Sequence, residues 1–321
     1  LLVGAAHPAT MAGTQNPEPG TRNPEPRTQN PDPRTQNPEP IMNLNWTDIQ
    51  RKRLAELDAD DATLARTFDD TGQRNRAFQR LEKERVAAHR RHLDALRSGA
   101  RRPRLCRLET VLVETLVSHG FVQVSTPVLM SKGLLARMSI TVDHPLREQV
   151  YWVDRDKCLR PMLAPHLYYV VKDLLRLWAK PVRIFEVGPC FRKETEGARH
   201  AAEFTMLNLC EFGLPEDQRR HRLERLAALI MDSAGIHRYR LESETSAVYG
   251  STLDVVAEAD GLELGSGAMG PHPLDRAWRI ADTWVGIGFG LERLLMTVEG
   301  GSHLSRFGRS ISYLDGIRLN I

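Results

Sequence analysis

The sequence has few of the features that mark membrane proteins, zinc proteins and disulfide-bonded proteins. Only four of its 321 residues are cysteine, and none is spaced as CxxC, so we expect neither a zinc site nor a disulfide framework. No apolar run approaches the roughly 20 residues that span a bilayer, and the opening LLVGAA is too short for a signal-peptide core. We therefore expect a globular protein of the reducing cytoplasm, without a membrane partner.

The sequence also lacks the P-loop pattern GxxxxGK[ST], yet residues 284–296 would suit an anion. They read WVGIGFGLERLLM, an apolar strand whose alternating glycines let a backbone or a flat ligand approach closely. The strand leads directly into a helix whose first turn carries Glu292 and Arg293. Because a helix N-terminus presents free N–H groups and a positive dipole end, this stretch predicts phosphate binding, with Arg293 as a fixed cation.

A second stretch, residues 183–210, predicts a hairpin with an arginine at its tip. RIFEVGPCFRKE reads as a strand with a turn at Gly188-Pro189, and EFTMLNLC reads as the return strand after a polar loop. Arg192 and Glu194 alternate with Lys193, so in a strand both side chains would point to one face.

The net charge of +3 hides a local basic segment. Residues 73–107 hold twelve Lys or Arg against three acids, so the remainder of the chain is net acidic. A basic stripe of this kind predicts contact with an RNA backbone, while a solvated helix face is the alternative. The candidate contacts are Arg90, Arg91, Arg101 and Arg102.

The chain divides into three parts. Residues 1–41 contain a seven-residue Pro-rich repeat, which we expect to be a disordered upstream extension, with a partner-binding linker as the alternative. Residues 42–104 form a basic helical extension, with a capping box at Thr47 and Gln50 and a long helix over about 73–96. Residues 105–321 make up the largest unit.

Strand and helix patterns interleave in the largest unit without a dinucleotide-binding βαβ unit. This favours an α+β fold with a mixed, mainly antiparallel sheet flanked by helices. The predicted helices are 108–118, 165–178 and 216–234, and the predicted strands outside the two motifs are 121–124, 149–153 paired with 157–160, 238–242, 252–257 and 261–268.

The two motifs, taken together, resemble those of the class II aminoacyl-tRNA synthetases. Phe191, Arg192 and Glu194 match the fRxE strand of motif 2, and residues 286–295 match the gxgxgfGLERll pattern of motif 3. Residues 108–127, LETVLVETLVSHGFVQVSTP, resemble motif 1. The motifs come in the family's order, about a hundred residues separating motif 2 from motif 3. The resemblance implies a class II synthetase fold, ATP and Mg²⁺ as cofactors, and a homodimer formed through motif 1.

The resemblance is closer still to the pyrrolysine-specific family within this class. It covers residues 105–321 and includes LRPMLAPHLYYVVKDL, FRKETEGARHAAEFTMLNLC and SISYLDG. It implies ATP-dependent activation of pyrrolysine and its transfer to the 3′ end of a UAG-reading tRNA. The family often carries a separate N-terminal tRNA-binding domain, for which this sequence has neither the length nor a Cys/His cluster. A separate N-terminal-domain protein is therefore a further candidate partner.

The resemblance assigns roles around the nucleotide. Arg192 would bind the α-phosphate, and Glu194 would accept from the adenine amino group. His200 would reach the outer phosphates, Phe204 would stack on the adenine, and Arg293 would cover its other face and the γ-phosphate. Arg192 and Arg293 are the expected catalytic residues, because two anions must meet when a carboxylate attacks ATP.

Glu263 and Ser266 would hold Mg²⁺ as hard oxygen ligands, again by resemblance. The sequence departs from the family at two places here. The loop that tends to read HLEEF is HAAEF, with one acid missing, and the frequent Ser-Ser-Ala is Gly265-Ser266-Gly267. Both changes would loosen the ATP and metal site.

An amino-acid pocket follows from the positions that match the family. It would be lined by Ala164, Leu167, Tyr168, Val171, Met206, Asn208, Cys210, Tyr249 and Trp284. The first four share a helix face at i, i+3, i+4 and i+7. Small side chains at 164 and 210 would leave room for a bulky substrate, Asn208 would donate to an acyl carbonyl, and Tyr249 would close over the ring.

Three other interpretations stay open at this point. The chain could be an adenylate-forming paralogue that acts on a small amine or carrier, or a non-catalytic protein that binds RNA or ATP. Within the synthetases, a phenylalanine-type pocket is the rival. The basic segment argues against the first, the intact Arg192 and Arg293 against the second, and Asn208 with Cys210 against the third.

Overall fold

A computed structural model describes residues 43–193, 200–301 and 303–321. The tail predicted for residues 1–41 and the predicted adenine contact Glu194 lie outside these ranges. None of the helices described there is long and apolar enough to cross a bilayer.

The described residues form α-helices and a few short turns of π- and 3-10 helix. The α-helices are α1 (Asp48–Glu56), α2 (Asp61–Leu64), α3 (Thr71–Ala95), α4 (Arg104–Ser118), α5 (Lys132–Arg137), α6 (Ala164–Leu177), α7 (Arg219–Ser233), α8 (Asp275–Trp278) and α9 (Leu291–Glu299). A π-helical turn at Leu96–Ala100 ends α3, and the 3-10 turns lie at Pro145–Arg147, Glu216–Gln218 and Leu304–Arg306.

The strands belong to one large sheet and three two-stranded ones. They are β1 (Leu44–Asn45), β2 (Thr67–Phe68), β3 (Val122–Gln123), β4 (Leu129–Ser131), β5 (Lys157–Leu159), β6 (Val182–Phe191), β7 (Glu203–Phe212), β8 (Tyr239–Ser246), β9 (Gly250–Ala257), β10 (Glu263–Gly270), β11 (Trp284–Gly290), β12 (Tyr313–Leu314) and β13 (Ile317–Arg318).

The seven-stranded sheet confirms the predicted α+β class. Its strand order is β3-β6-β7-β11-β10-β9-β8, and β3–β6 is the parallel pair in an otherwise antiparallel sheet. The two predicted motifs become its centre, because β6 and β7 pair as a hairpin from Val182↔Phe212 to Phe191↔Glu203. Strand β11 then pairs with β7 from Trp284↔Phe212 to Gly290↔Met206.

Alternation along the central strands separates two apolar clusters. On one face, Leu207 and Leu209 of β7 pack into a core with residues of α4, α7 and α9. On the other face, Cys210, Phe212 and Trp284 join a second core with α6 and α8. Successive side chains of a strand point to opposite faces. Met206 and Asn208, which alternate with Leu207 and Leu209, therefore point toward α6.

The N-terminal extension packs on its own small core and is tied to the C-terminal residues. Trp46, Leu54, Phe68 and Ala77 form that core. Thr47 and Gln50 form the predicted capping box. Ion pairs then join the extension to the end of the chain, Arg318 to Glu56 at 2.7 Å and Arg306 to Asp58, and His92 Nε2 lies within hydrogen-bond distance of Asp315 Oδ2 at 3.0 Å.

Two local predictions differ in detail from the structure. The predicted hairpin of 149–153 with 157–160 is present but short: Trp152 bridges Cys158, Leu159 N–H donates to the Tyr151 carbonyl at 2.9 Å, and Val153 N–H donates to the Lys157 carbonyl at 2.9 Å. The sequence did not predict that β5 also pairs along its other edge with β4, about 28 residues earlier in the chain. The apolar residues of the long basic helix predict a buried stripe of Phe78, Leu81, Val86, Leu93 and Leu96, of which Leu96 is buried and the other four are half-buried. The buried residues within α3 are Ala77 and His89.

A buried ion pair lies beneath the hairpin that carries Arg192. Arg160 and Glu186 are each 2% exposed, and Arg160 Nη1 lies 2.7 Å from Glu186 Oε1. Arg160 Nε also donates to the carbonyl oxygen of Pro189 at 2.7 Å, and the Thr126 hydroxyl donates to Glu186 Oε2 at 2.7 Å. Because the buried charges of Arg160 and Glu186 have hydrogen-bond partners, this network stabilises the packing of β6 against the loop that follows β3.

Gly188→Ala is expected to lower the free energy of unfolding by about 1–3 kcal/mol, because overpacking a well-filled core is destabilising. A Cβ at Gly188 would lie 2.1 Å from Arg160 Nη2, and the hydrogen bonds of Arg160 Nε to Pro189 and of Nη1 to Glu186 hold the guanidinium in place. Urea unfolding would measure the change. The matched control is Gly133→Ala in α5, where a Cβ meets nothing closer than 3.9 Å. Equal stability of the two variants would contradict the prediction.

Candidate active site

The face of the sheet that points toward α6 bears a cavity of about 390 Å³. Its walls come from α6, from the central strands β7, β10 and β11, and from the turn between β8 and β9. Fourteen of the residues predicted to bind ATP, metal or amino acid line it: Ala164, Leu167, Tyr168, Arg192, His200, Phe204, Met206, Asn208, Cys210, Tyr249, Glu263, Ser266, Trp284 and Arg293. The residues predicted to bind ATP and those predicted to bind the amino acid therefore line one continuous cavity.

Arg192 lies just beyond the end of β6 rather than inside a strand. Its Nε donates to the carbonyl oxygen of Pro161 at 2.9 Å, and its backbone N–H donates to Ala202 at 3.0 Å. The guanidinium carbon lies 5.3 Å from the ring centroid of Phe204, so cation and predicted adenine platform are adjacent. Strand β6 ends at Phe191, so Arg192 and Lys193 follow it, while Glu194, the other half of the predicted alternation, lies outside the described residues.

Arg293 stands in the first turn of α9, which follows β11 without a connecting loop. Its Nη1 donates to the backbone carbonyl of Glu263 at 3.0 Å and lies 3.7 Å from the Glu263 carboxylate. The helix start and this guanidinium face the same cavity as Arg192. Two arginines and a helix N-terminus therefore converge at this end, as anion binding requires.

The glycines of β11 keep the floor of the cavity open. A Cβ at Gly288 would lie 3.2 Å from Asn208 Nδ2 and 3.2 Å from Met206 Cε, so those side chains occupy the space above it. Gly286 faces Cys210 in the same way, with its Cβ position 3.5 Å from Cys210 Cβ. A longer side chain at either position would fill the cavity from below.

The proposed metal ligands are oxygen donors on neighbouring positions of the sheet. The Ser266 hydroxyl donates to Asp254 Oδ1 at 2.6 Å, so its own lone pairs are left for another partner. Glu263 is half-exposed beside Arg293. The described residues contain no cluster of three or more His, Cys, Asp or Glu that would hold a metal alone. This donor set fits a Mg²⁺ ion that keeps waters and substrate phosphates as its other ligands.

Glu292 is a cavity residue whose placement the sequence did not reveal. Its carboxylate is 1% exposed and accepts from the backbone N–H of Thr205 at 2.9 and 3.0 Å. Burial raises the pKa of this carboxyl group. The contact fixes α9 against β7 beside Phe204, so it aligns the two predicted phosphate-binding motifs with each other.

One wall of the amino-acid end is the predicted face of α6. Ala164, Leu167 and Tyr168 line the cavity. Val171, placed in the lining by the i+7 spacing, does not reach it and is fully buried in the core behind. The helix axis carries the i+7 position one turn further away, beyond the end of the cavity.

The opposite wall comes from β7 and β11. Met206, Asn208 and Cys210 alternate along β7 and face the cavity, and Trp284 pairs across the sheet with Phe212. Burial raises the pKa of the Cys210 thiol well above its usual range, so this side chain acts as a small apolar group. The ring of Tyr249 lies 6.2 Å from that of Trp284. Tyr249 is thus at the cavity as predicted, and its role as a lid stays a prediction.

The basic residues proposed for RNA lie away from the cavity, near the end of α3. Arg90, Arg91, Arg101 and Arg102 are all exposed. Arg102 Nη2 donates to the carbonyl of Cys106 at 2.9 Å and to the Thr110 hydroxyl at 2.7 Å, which ties the turn to α4. The four arginine side chains therefore lie on the surface of the protein and are not packed against the central sheet.

Comparison with known proteins agrees with this geometry. The family described as tRNA synthetases class II (D, K and N) matches residues 83–246. The phenylalanine–tRNA ligase alpha subunit of Thermosynechococcus vestitus is 24% identical over 243 residues, which cover 71% of this chain and 70% of that protein. A lysine–tRNA ligase of Psychrobacter is 27% identical over 68% of this chain, but the match spans only 42% of that ligase.

Solved structures give the stronger likeness. A pyrrolysyl-tRNA synthetase from Desulfitobacterium hafniense superposes with a TM-score of 0.81 at 53% identity, over 86% of this chain and 99% of that one. A second structure of a pyrrolysyl-tRNA synthetase from the same organism gives 0.81 at 51% identity, over 88% and 100%. The chain therefore belongs to the class II aminoacyl-tRNA synthetases and, within that class, to the pyrrolysyl-tRNA synthetases.

Proposed function

We propose that this chain is a pyrrolysine–tRNA ligase, which activates pyrrolysine with ATP and transfers it to the 3′ end of a UAG-reading tRNA. The observation that carries the proposal is the single cavity, with two arginines at one end and an apolar pocket bearing one amide at the other. A carboxylate and an α-phosphate bound in these two halves would meet inside it. The alternatives of a small-amine acceptor and of a non-catalytic protein have no comparable observation in their favour.

The nucleotide end would bind ATP through stacking and charge. Phe204 would stack on the adenine, and Arg192, beside that ring, would reach the α-phosphate. Arg293 and His200 would hold the outer phosphates. Glu194, outside the described residues, is proposed to accept from the adenine amino group. The planar fork of each arginine suits two phosphate oxygens at once, which lowers the cost of bringing two anions together.

Glu263 and Ser266 would complete the metal site, with Asp254 orienting the serine hydroxyl. Mg²⁺ bound there would neutralise charge on the phosphates and on the departing pyrophosphate. The chain's own contribution is to hold Glu263 and Ser266 on β10, within the cavity that Arg293 also lines, with Asp254 on the adjacent strand β9.

The tRNA would approach along the exposed basic residues of the N-terminal extension. Replacing Arg90, Arg91, Arg101 and Arg102 together by glutamine is expected to weaken tRNA binding and flatten its salt dependence, because each lost phosphate contact lowers the slope by about one unit. Amino-acid activation should be unaffected, since these residues lie outside the cavity. Filter binding over a salt series would measure the slope. An unchanged slope would make the segment a solvated face only.

A homodimer is proposed through the motif 1 helix and strand. Val111 and Val117 of α4 are 43% and 53% exposed, and Val122 of β3 is 45% exposed, so apolar surface is left uncovered there. Sedimentation of the full chain tests this, and a monomer at micromolar concentration would contradict it. A separate N-terminal-domain protein as tRNA-binding partner, and the cytoplasm as the place of action, also belong to the proposal.

ATP–pyrophosphate exchange across a panel of amino acids is the test of the function. We expect exchange with pyrrolysine and with lysines acylated on the side-chain nitrogen, followed by acylation of a UAG-reading tRNA. Exchange with a different amino acid would overturn the substrate. No exchange with any amino acid, in a protein that binds ATP, would favour the non-catalytic alternative.

A further inference from the structure

The turn that leads from His272 into α8 ends at Asp275, whose carboxylate lies behind the amino-acid end of the cavity. Asp275 is 4% exposed and does not line the cavity. Its Oδ2 accepts from the backbone N–H of His272 at 2.6 Å and from Trp284 Nε1 at 2.9 Å. Its Oδ1 accepts from the Tyr168 hydroxyl at 3.3 Å. One buried carboxylate therefore joins two cavity side chains that come from different elements, α6 and β11.

His272 adds a third connection from the same turn. The backbone N–H of Leu274 donates to His272 Nδ1 at 3.2 Å, so Nδ1 carries no proton. The proton is then on Nε2, which lies 2.9 Å from the carbonyl oxygen of Tyr249 and donates to it. The ring of His272 also meets that of Tyr249 edge-on, with centroids 5.7 Å apart. The turn thus holds the segment that places Tyr249 over the cavity.

Packing leaves the held side chains little freedom. A Cβ at Gly270 would lie 1.8 Å from Trp284 Nε1, so the indole lies flat over a position that only glycine can occupy. Tyr168 is stacked on Trp278 at 5.3 Å and meets Trp284 edge-on at 5.7 Å. The hydrogen bonds to Asp275 therefore select one rotamer for each ring in an already close-packed cluster.

We infer that Asp275, assisted by His272, is a positioning residue for amino-acid specificity. Asp275 sets the shape of the pocket because it fixes the side chains of Tyr168 and Trp284. His272 fixes the backbone position of Tyr249. The inference rests on the proposed function in that it assigns this end of the cavity to the amino acid. A carboxylate suits the role because it accepts from several donors at once and offers none of its own.

Asp275→Ala would leave the Trp284 and Tyr168 donors buried without a partner, and both rings would lose their fixed rotamers. We expect the KM for an Nε-acylated lysine to rise about tenfold or more and the preference over phenylalanine to fall by a similar factor. The KM for ATP should be unchanged. Asp275→Asn should restore most of the preference, because its oxygen can accept from His272 and Trp284 while its amide donates to the Tyr168 oxygen.

The matched control is Asp173→Asn, an exposed carboxylate on α6 whose neighbours are Lys172 and Arg176. His272→Phe is the second variant, should Asp275→Ala fold poorly, and is expected to raise the KM for the acylated lysine with ATP again unaffected. Equal losses for ATP and amino acid, or a preference unchanged in folded Asp275→Ala and His272→Phe, would overturn the inference.

A readout without substrate separates this inference from the proposed function. In protein labelled with ¹⁵N-tryptophan, the Trp284 indole N–H, assigned through Trp284→Phe, should exchange with solvent slowly in the wild type and faster in Asp275→Ala. If the wild type prefers another amino acid, the proposed substrate fails, while the indole exchange and the preference for that amino acid still test Asp275. Equal indole exchange in both proteins would show that Asp275 does not hold the ring.

Discussion

Replacing either Arg192 or Arg293 by alanine is expected to reduce adenylate formation by a few hundredfold or more while leaving the fold intact. Each guanidinium lines the end of the cavity that we propose for the phosphates, where the proposed reaction would develop charge. Loss of one such contact costs roughly 3 to 4 kcal/mol of transition-state stabilisation. The effect on stability should be small, because Arg293 is partly exposed and its pairing with Glu263 at 3.7 Å is of the kind that contributes little.

ATP–pyrophosphate exchange, with thermal unfolding of the same preparations, would measure both effects. Arg293→Lys is the informative companion, because it keeps the charge but loses the planar fork, and it should recover only part of the rate. Arg176→Ala on the exposed face of α6 serves as the control for loss of a positive charge. Near-normal exchange in a folded Arg192→Ala or Arg293→Ala protein would show that the arginine does not act on the phosphates.

Local patterns predicted most of the fold that surrounds the site. Met206, Asn208 and Cys210, which the family resemblance placed in the pocket, alternate along β7 and all line the cavity. The strand-to-helix transition at Gly290 also lies where the sequence placed it. These features depend on residues close together in the chain, which is why the periodicity of a single segment suffices to predict them.

Features that depend on distant pairing were not predicted. Strand β5 pairs with β4 across the intervening α5, which no local signal in either segment encodes. Asp254 orients Ser266 only because β9 and β10 lie side by side in one register. Asp275 approaches Tyr168 from 107 positions further along the chain. In each case the two partners come together only in the assembled fold, and the sequence around either one does not identify the other.

The position of Val171 shows a second limit of prediction from the sequence, which concerns the depth of the cavity. Its spacing from Ala164 was interpreted correctly as a shared helix face, yet the cavity ends before it. Periodicity predicts the direction in which a side chain points, but the depth of a cavity depends on what packs opposite. Val171 is fully buried in the apolar cluster that also holds Tyr168 and Trp278, so it contributes to the core and not to the cavity wall.

The amino-acid end should accept lysine with a bulky acyl group on its side-chain nitrogen and discriminate strongly against free lysine. Leu167, Tyr168, Cys210 and Trp284 surround this end and offer no carboxylate to an ammonium. Of the cavity's carboxylates in the described residues, Glu263 pairs with Arg293 and Glu292 accepts from Thr205. Burying an unpaired ammonium costs several kcal/mol, whereas acylation removes that charge and fills the apolar volume.

Asn208 is the polar group that would recognise the acyl carbonyl. Its amide lies over Gly288, where the missing side chain leaves it facing the cavity. Asn208→Ala removes a hydrogen bond worth about 1 kcal/mol net, or more if the carbonyl is left buried without a donor. We therefore expect a clear loss of preference for the acylated substrate, together with activity toward phenylalanine analogues in the enlarged space.

Exchange activity with lysine, phenylalanine and Nε-carbamoyl lysine, measured side by side for the wild type and Asn208→Ala, would decide the matter. The wild type should use the carbamoyl lysine and almost no lysine, and the variant should shift toward phenylalanine. Lysine would bring an unpaired ammonium into the pocket, and phenylalanine would bring no carbonyl for Asn208, so the two comparisons report on separate contacts. A wild-type preference for lysine or phenylalanine would overturn the pyrrolysine assignment while leaving the class II fold and the ATP site in place.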